Sequence, residues 1–117
     1  MRFIPTRVHG ILDYLVGLIV IALPIAFPLQ GAAFVTLVGL GLFAILYSLF
    51  TDYELGVVRF LRLRFHLALD VLFGAVMIST PMIVDLPAAI YWLVYAIGIM
   101  AIALALTTQI RATGTAS

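Results

Sequence analysis

Residues 7–17 read RVHGILDYLVG and residues 64–74 read RFHLALDVLFG, so Arg, His, Asp and Gly return in the same order and spacing 57 residues later. Each copy opens an apolar stretch, and the register continues without a gap on both sides of it. Arg2 and Phe3 match Arg59 and Phe60, while Leu12, Leu15, Ile21 and Pro24 match Leu69, Leu72, Ile78 and Pro81. Further on, Gly41, Ala44, Ile45, Leu49 and Thr51 match Gly98, Ala101, Ile102, Leu106 and Thr108. Chance does not produce an ungapped correspondence of this length. The sequence reads as two tandem repeats, residues 1–57 and 58–117, of one domain.

Of the 117 residues, 66% are hydrophobic and only 9% are charged, against roughly 25% charged in ordinary soluble domains. A soluble chain of this size needs a polar surface, and too few polar residues are present to build one. The apolar stretches cover about 8–27, 33–50, 65–84 and 88–107, each near the roughly 20 residues that a helix needs to cross about 30 Å of hydrocarbon. The expectation is an all-α integral membrane protein with four transmembrane helices. Met1 to Phe27 has the basic start of a signal peptide but no A-x-A-like cleavage site. The same pattern recurs at 59–84, so the first segment reads as a retained span. Cysteine is absent, which excludes a disulfide framework and a thiolate metal site.

All six cations are arginines. Arg2 and Arg7 precede the first span, Arg59, Arg62 and Arg64 lie between the second and third, and Arg111 follows the fourth. The other two connections, 28–32 and 85–87, carry only Asp85. Because Lys and Arg concentrate in cytoplasmic loops, both termini and the central loop are expected in the cytoplasm. Each repeat is then a helical hairpin with an even number of spans. Both hairpins enter from the same side, related by a pseudo-twofold axis along the membrane normal.

His9 and Asp13, like His66 and Asp70, are four residues apart, which places each pair on one helix face a turn apart. Gly17 and Gly74 extend that face by a further turn, and small residues let helices approach closely in lipid. The first and third helices are therefore expected to face each other near the axis, gathering His9, Asp13, His66 and Asp70 just inside the cytoplasmic interface. Arg7 and Arg64 are expected to flank this cluster. On the second and fourth helices Gly41 and Gly98, with Gly39 beside the former, mark further close packing. Tyr14, Tyr47, Tyr53, Tyr91, Trp92 and Tyr95 read as interfacial anchors. The polar-flecked segment 51–65 reads as a basic loop rather than a short interfacial helix, with Asp52 and Glu54 available to its arginines.

The doubled His, Asp and Gly followed by a Pro near the helix end resembles the SPW repeat family of small bacterial membrane proteins. The resemblance runs from FIPTRVHGILDYLVG through LYSLFTDYELG to HLALDVLFG. At the Ser-Pro-Trp motif this chain has Leu23-Pro24-Ile25 and Thr80-Pro81-Met82, which keep both prolines and lack both tryptophans. The resemblance implies a two-hairpin fold in the bacterial cytoplasmic (inner) membrane and supplies no activity.

An ionised carboxylate in hydrocarbon costs a few kcal/mol or more (about 2.5–3.5 on insertion scales), so intramembrane Asp and His call for an explanation. The favoured one is a polar lock between the hairpins, in a protein with a structural or accessory role. The alternatives are a divalent metal site formed by His9, His66, Asp13 and Asp70 and a proton-linked transport path. A bis-His haem is a weaker variant of the metal reading. Polar residues are sparse in the outer halves of the helices, with Thr36, Ser79 and Thr80 the main ones, which counts against a continuous path. No Gly-rich phosphate loop, nucleophile elbow or H-E-x-x-H motif is present. No enzymatic activity and no resident cofactor are expected. Nor is nucleic-acid binding, since topology accounts for the arginines. Expected partners are the lipid bilayer and a second copy or another membrane protein.

Overall fold

A computed structural model describes residues 2–110. Arg111 and the polar tail that it opens, RATGTAS, lie outside the described residues. The chain forms four helices, α1 (Thr6–Ala26), α2 (Gly31–Leu49), α3 (Leu63–Ile83) and α4 (Tyr91–Thr107), the last entered through a 3-10 turn at Ala88–Ile90. With that turn counted into α4, all four are long and apolar enough to cross a membrane. At 1.5 Å per residue, the 21 residues of α1 or α3 span about 31 Å.

The first and third helices begin at Thr6 and Leu63, two residues before the apolar stretches predicted from sequence. A hydropathy reading stops at arginine, whereas Arg7 and Arg64 are good helix formers and simply extend the first turn. Proline sets two of the outer boundaries. Phe27 precedes Pro28 and leaves the helical region at φ −107° and ψ 82°, as the ring of a following proline demands. The short turn then closes at Gly31, whose φ of +60° suits a residue without Cβ. Pro87, with ψ 137°, introduces the 3-10 turn ahead of α4.

The closest backbone packing lies within each hairpin, α1 against α2 and α3 against α4. Glycine is the reason. A Cβ on Gly41 would stand 2.6 Å from the carbonyl oxygen of Gly17, and one on Gly74 would stand 2.5 Å from that of Gly98. Ile21 and Ile45 flank the first contact, Ile78 and Ile102 the second. This corrects the expectation that Gly17 and Gly74 bring α1 and α3 together: both glycines turn to their own hairpin partner, and α1 and α3 share no extensive backbone seam. Gly39 is exposed, with nothing within 4 Å of a Cβ placed there, so it takes no part in the packing.

Between the hairpins the core is apolar and fully buried at Val20, Leu37, Met77 and Val94, one residue from each helix. The outer surface is apolar too: Leu15, Leu18, Val35, Met82 and Ile99 are all half or more exposed. At the end where the chain begins, the N–H groups of Phe3 and Ile4 donate to Thr107 O, and Gln109 N–H donates to Ile4 O. In the same way Phe60 and Leu61 donate to Phe50 O, and Asp52 donates to Leu61 O. Two isolated parallel bridges result, Ile4 with Thr108 and Thr51 with Leu61. The central segment is thus irregular, held by bridge and turn hydrogen bonds rather than wound into a helix.

Replacing Gly41 or Gly74 by Ala drives a methyl group into a facing backbone carbonyl that cannot swing aside. Each substitution is expected to lower stability by about 1–3 kcal/mol. Gly39→Ala, where the space is open, should be neutral or should stabilise by up to about 1 kcal/mol through helix propensity. Thermal unfolding of the three variants in detergent checks the contrast.

Candidate functional site

His9 and Asp13 on α1 meet His66 and Asp70 on α3 in a closed ring. His9 Nε2 lies 2.6 Å from Asp70 Oδ2 and 3.1 Å from Asp13 Oδ1, and His66 Nε2 lies 2.8 Å from Asp13 Oδ2 and 3.2 Å from Asp70 Oδ2. The two shorter contacts cross between the hairpins and the two longer ones run along a single helix. One donor atom from each residue can be chosen so that all four lie within 4.8 Å of one another. Both imidazoles and Asp70 are buried, and the Asp13 side chain is 10% exposed.

Every member of the ring is held by a further side chain. His66 Nδ1 is 2.7 Å from Thr51 Oγ1 and His9 Nδ1 is 2.6 Å from Thr108 Oγ1. Each threonine hydroxyl in turn donates to the carbonyl four residues back, Thr51 to Tyr47 O and Thr108 to Leu104 O, both at 2.6 Å. Two oxygens that close need a proton between them, and a hydroxyl has only one to give. The threonine must therefore accept from the ring, which assigns an N–H to Nδ1 of both histidines. Tyr47 donates to Asp70 Oδ1 at 2.5 Å and Tyr53 to Asp13 Oδ2 at 3.2 Å. Burial, reinforced by the neighbouring Asp13, pushes the Tyr53 phenol above its ordinary value and keeps it a donor.

With Nδ1 carrying a proton, each neutral imidazole presents a bare lone pair at Nε2. A lone pair and a carboxylate oxygen 2.6–2.8 Å apart repel unless positive charge sits between them. The ring therefore demands two positive charges to offset its two carboxylates. Among the described residues every buried side-chain nitrogen or oxygen has a hydrogen-bond partner, so the site is complete as a polar network.

The two sides of the ring differ. His66 packs edge-on to Tyr47, with ring centroids 4.9 Å apart, and stands 5.3 Å from Tyr53. At the corresponding places near His9 the repeat has Leu104 and Ile110. A cavity of about 20 Å³, bordered by His9, Asp13, Tyr47 and Asp70 and closed by apolar groups that include Leu104, lies beside the ring. That is room for about one water molecule.

Several sequence-based assignments change. Tyr47 and Tyr53, expected as interfacial anchors, are buried and orient the carboxylates. Tyr14 donates to Leu55 O. Glu54, expected beside the arginines, accepts from the Thr6 hydroxyl with both carboxylate oxygens, at 2.7 and 2.8 Å. Arg7 and Arg64 are exposed and contribute no hydrogen bond to the ring. Thr51 and Thr108 were legible as a repeated pair, but nothing in the sequence joined them to the histidines. Tyr47 and Tyr53 lack a repeat counterpart of the same type, so the repeat gave no hint of their role. Comparisons of the chain with protein-family models, curated proteins and solved structures find no match.

Tyr47→Phe removes the donor to Asp70 and leaves a buried carboxylate oxygen unsatisfied. It is expected to cost about 1–3 kcal/mol of stability. Tyr53→Phe, which loses the longer bond, should cost less. Unfolding midpoints of the two variants in detergent give the order.

Proposed function

We propose that this chain is a small multi-pass protein of the bacterial cytoplasmic membrane with a non-enzymatic, structural or accessory role. Its two hairpins form parallel repeats locked by the His9, Asp13, His66 and Asp70 ring. The observation that carries this reading is the pair of cross-hairpin contacts, His9 with Asp70 at 2.6 Å and His66 with Asp13 at 2.8 Å. They join helices whose backbones have no extensive seam of their own. Support for membrane residence comes from the four apolar helices and the exposed apolar surface. The kinship with the SPW repeat family rests on the doubled residues alone.

In this reading the pseudo-twofold axis runs along the membrane normal, and the ring lies toward the side that carries the arginines. Both termini and the central loop face the cytoplasm. Correspondence between the halves supports the repeat: the Gly17–Gly41 and Gly74–Gly98 contacts, the two threonine–histidine bonds and the two parallel bridges are all related by the shift of 57. The apolar exterior meets lipid, and a second copy or another membrane protein is the partner that the accessory role implies. Ligand binding by the same ring is the second reading, favoured by the convergence of four donor atoms. A proton-linked transport path has less support, because the fully buried centre of the bundle is lined by Val20, Leu37, Met77 and Val94.

The lock is tested by Asp13→Asn with Asp70→Asn. Loss of both carboxylates should remove about 3–5 kcal/mol, the usual cost of breaking a buried ion pair, and should let the hairpins separate when the chain is cut between 57 and 58. An unchanged unfolding midpoint would sink the lock. The natural absence of cysteine makes orientation easy to test with single-cysteine variants. In intact cells a membrane-impermeant thiol reagent should label Gln30→Cys, and should reach Val57→Cys only after the membrane is opened. The reverse pattern would invert the topology.

A further inference from the structure

We infer that the ring is a binding site for one divalent transition-metal ion, held by Nε2 of His9 and His66 and by carboxylate oxygens of Asp13 and Asp70. The inference rests on these four residues acting as one unit, as the polar lock does, and adds a ligand that the lock does not require. Three observations carry it.

The first is donor orientation. Both histidines have Nδ1–H committed to a threonine, Thr108 for His9 and Thr51 for His66, which leaves both Nε2 atoms bare beside the carboxylates, each within 3.2 Å of Asp70 Oδ2. A metal-ligating histidine is ordinarily fixed in this way, through an outer hydrogen bond on its other nitrogen, and ligating carboxylates are themselves hydrogen-bonded. Tyr47 and Tyr53 supply the latter. All four donors thus have their own outer partner, from side chains that lie outside the ring.

The second is spacing. Each imidazole nitrogen faces both carboxylates, at 2.6 and 3.1 Å for His9 and at 2.8 and 3.2 Å for His66, with Asp70 presenting one oxygen to both histidines and Asp13 a different oxygen to each. Around an ion with bonds of about 2.0–2.1 Å, adjacent corners stand about 2.9 Å apart in a square and about 3.3 Å apart in a tetrahedron. The two contacts along a single helix fall in this range and the two between the hairpins fall short of it, so an ion held by the four donors would widen His9–Asp70 and His66–Asp13 slightly. The cavity of about 20 Å³ beside His9, Asp13 and Asp70 adds a place for one water as a further ligand.

The third is charge. Two carboxylates in an apolar bundle need two positive charges, and a single dication between two neutral imidazoles supplies them at one point. The mixed set of two nitrogens and two oxygens suits Zn, Ni, Cu or Fe rather than Ca or Mg, which prefer six or more oxygens or a largely hydrated shell.

The test uses the full chain in detergent, purified without a polyhistidine tag and stripped with a chelator, its fold verified by gel filtration and circular dichroism. It is titrated separately with Zn²⁺, Ni²⁺, Cu²⁺ and Co²⁺, and cobalt reports ligand geometry through its visible absorption. One ion per chain is expected, with affinity at least about 100-fold weaker in Asp13→Asn/Asp70→Asn. Thr51→Val should weaken binding by about 10–100-fold, and Thr51→Ser should restore it. Failure of the folded wild type to bind any of the four ions overturns the inference, as does binding that the Asn double variant leaves unchanged. Should the ions not bind while the Asn variant still unfolds at a lower temperature, the lock stands and the metal site falls. Should one ion bind while the Asn variant unfolds like wild type, the site stands and the lock falls.

Discussion

The structure depends on how two buried carboxylates are kept satisfied in an apolar bundle. Asp13 and Asp70 sit inside a bundle whose core is otherwise apolar, where an unpaired charge is prohibitively costly. Each meets both histidines, and the hairpins are tied together because His9 belongs to one and its closest carboxylate, Asp70, to the other. Without that reciprocity the hairpins would be held by side-chain packing and by the bridges at their ends, Ile4 with Thr108 and Thr51 with Leu61.

Two devices make the ring attainable. Within each hairpin, paired glycines let backbones approach until a Cβ has no room, at Gly17 against Gly41 and Gly74 against Gly98. That packing fixes the rotation of α1 and α3 and sends their His and Asp faces inward. At the helix ends, Ile4 pairs with Thr108 and Leu61 with Thr51, which places each threonine hydroxyl under a histidine. The segment leading into one hairpin is thereby clipped to the end of the other, and the outer hydrogen bonds of the ring come from the same clip.

The two histidines have different neighbours. Tyr47 and Tyr53 crowd His66, whereas Leu104 and Ile110 stand at the matching places around His9. The small cavity borders His9, and Asp13 is the most exposed ring member.

The sequence by itself determined the four apolar helices and their approximate limits, because these depend on local composition and on spacing along the chain. It also singled out His9, Asp13, His66 and Asp70, since charge is conspicuous in so apolar a context and a four-residue interval puts each pair on one face. Only the tertiary structure decided which neighbours complete the site. Gly17 and Gly74 could serve any close helix contact, and packing assigned them to the hairpin seams rather than to the α1–α3 interface. Thr51, Thr108, Tyr47 and Tyr53 lie many residues from the histidine or aspartate that each one orients, apart from any helical periodicity that would link them. Hydrogen bonds across such intervals are set by where the chain folds back, and the direction of that return is a property of the packed bundle rather than of any local stretch.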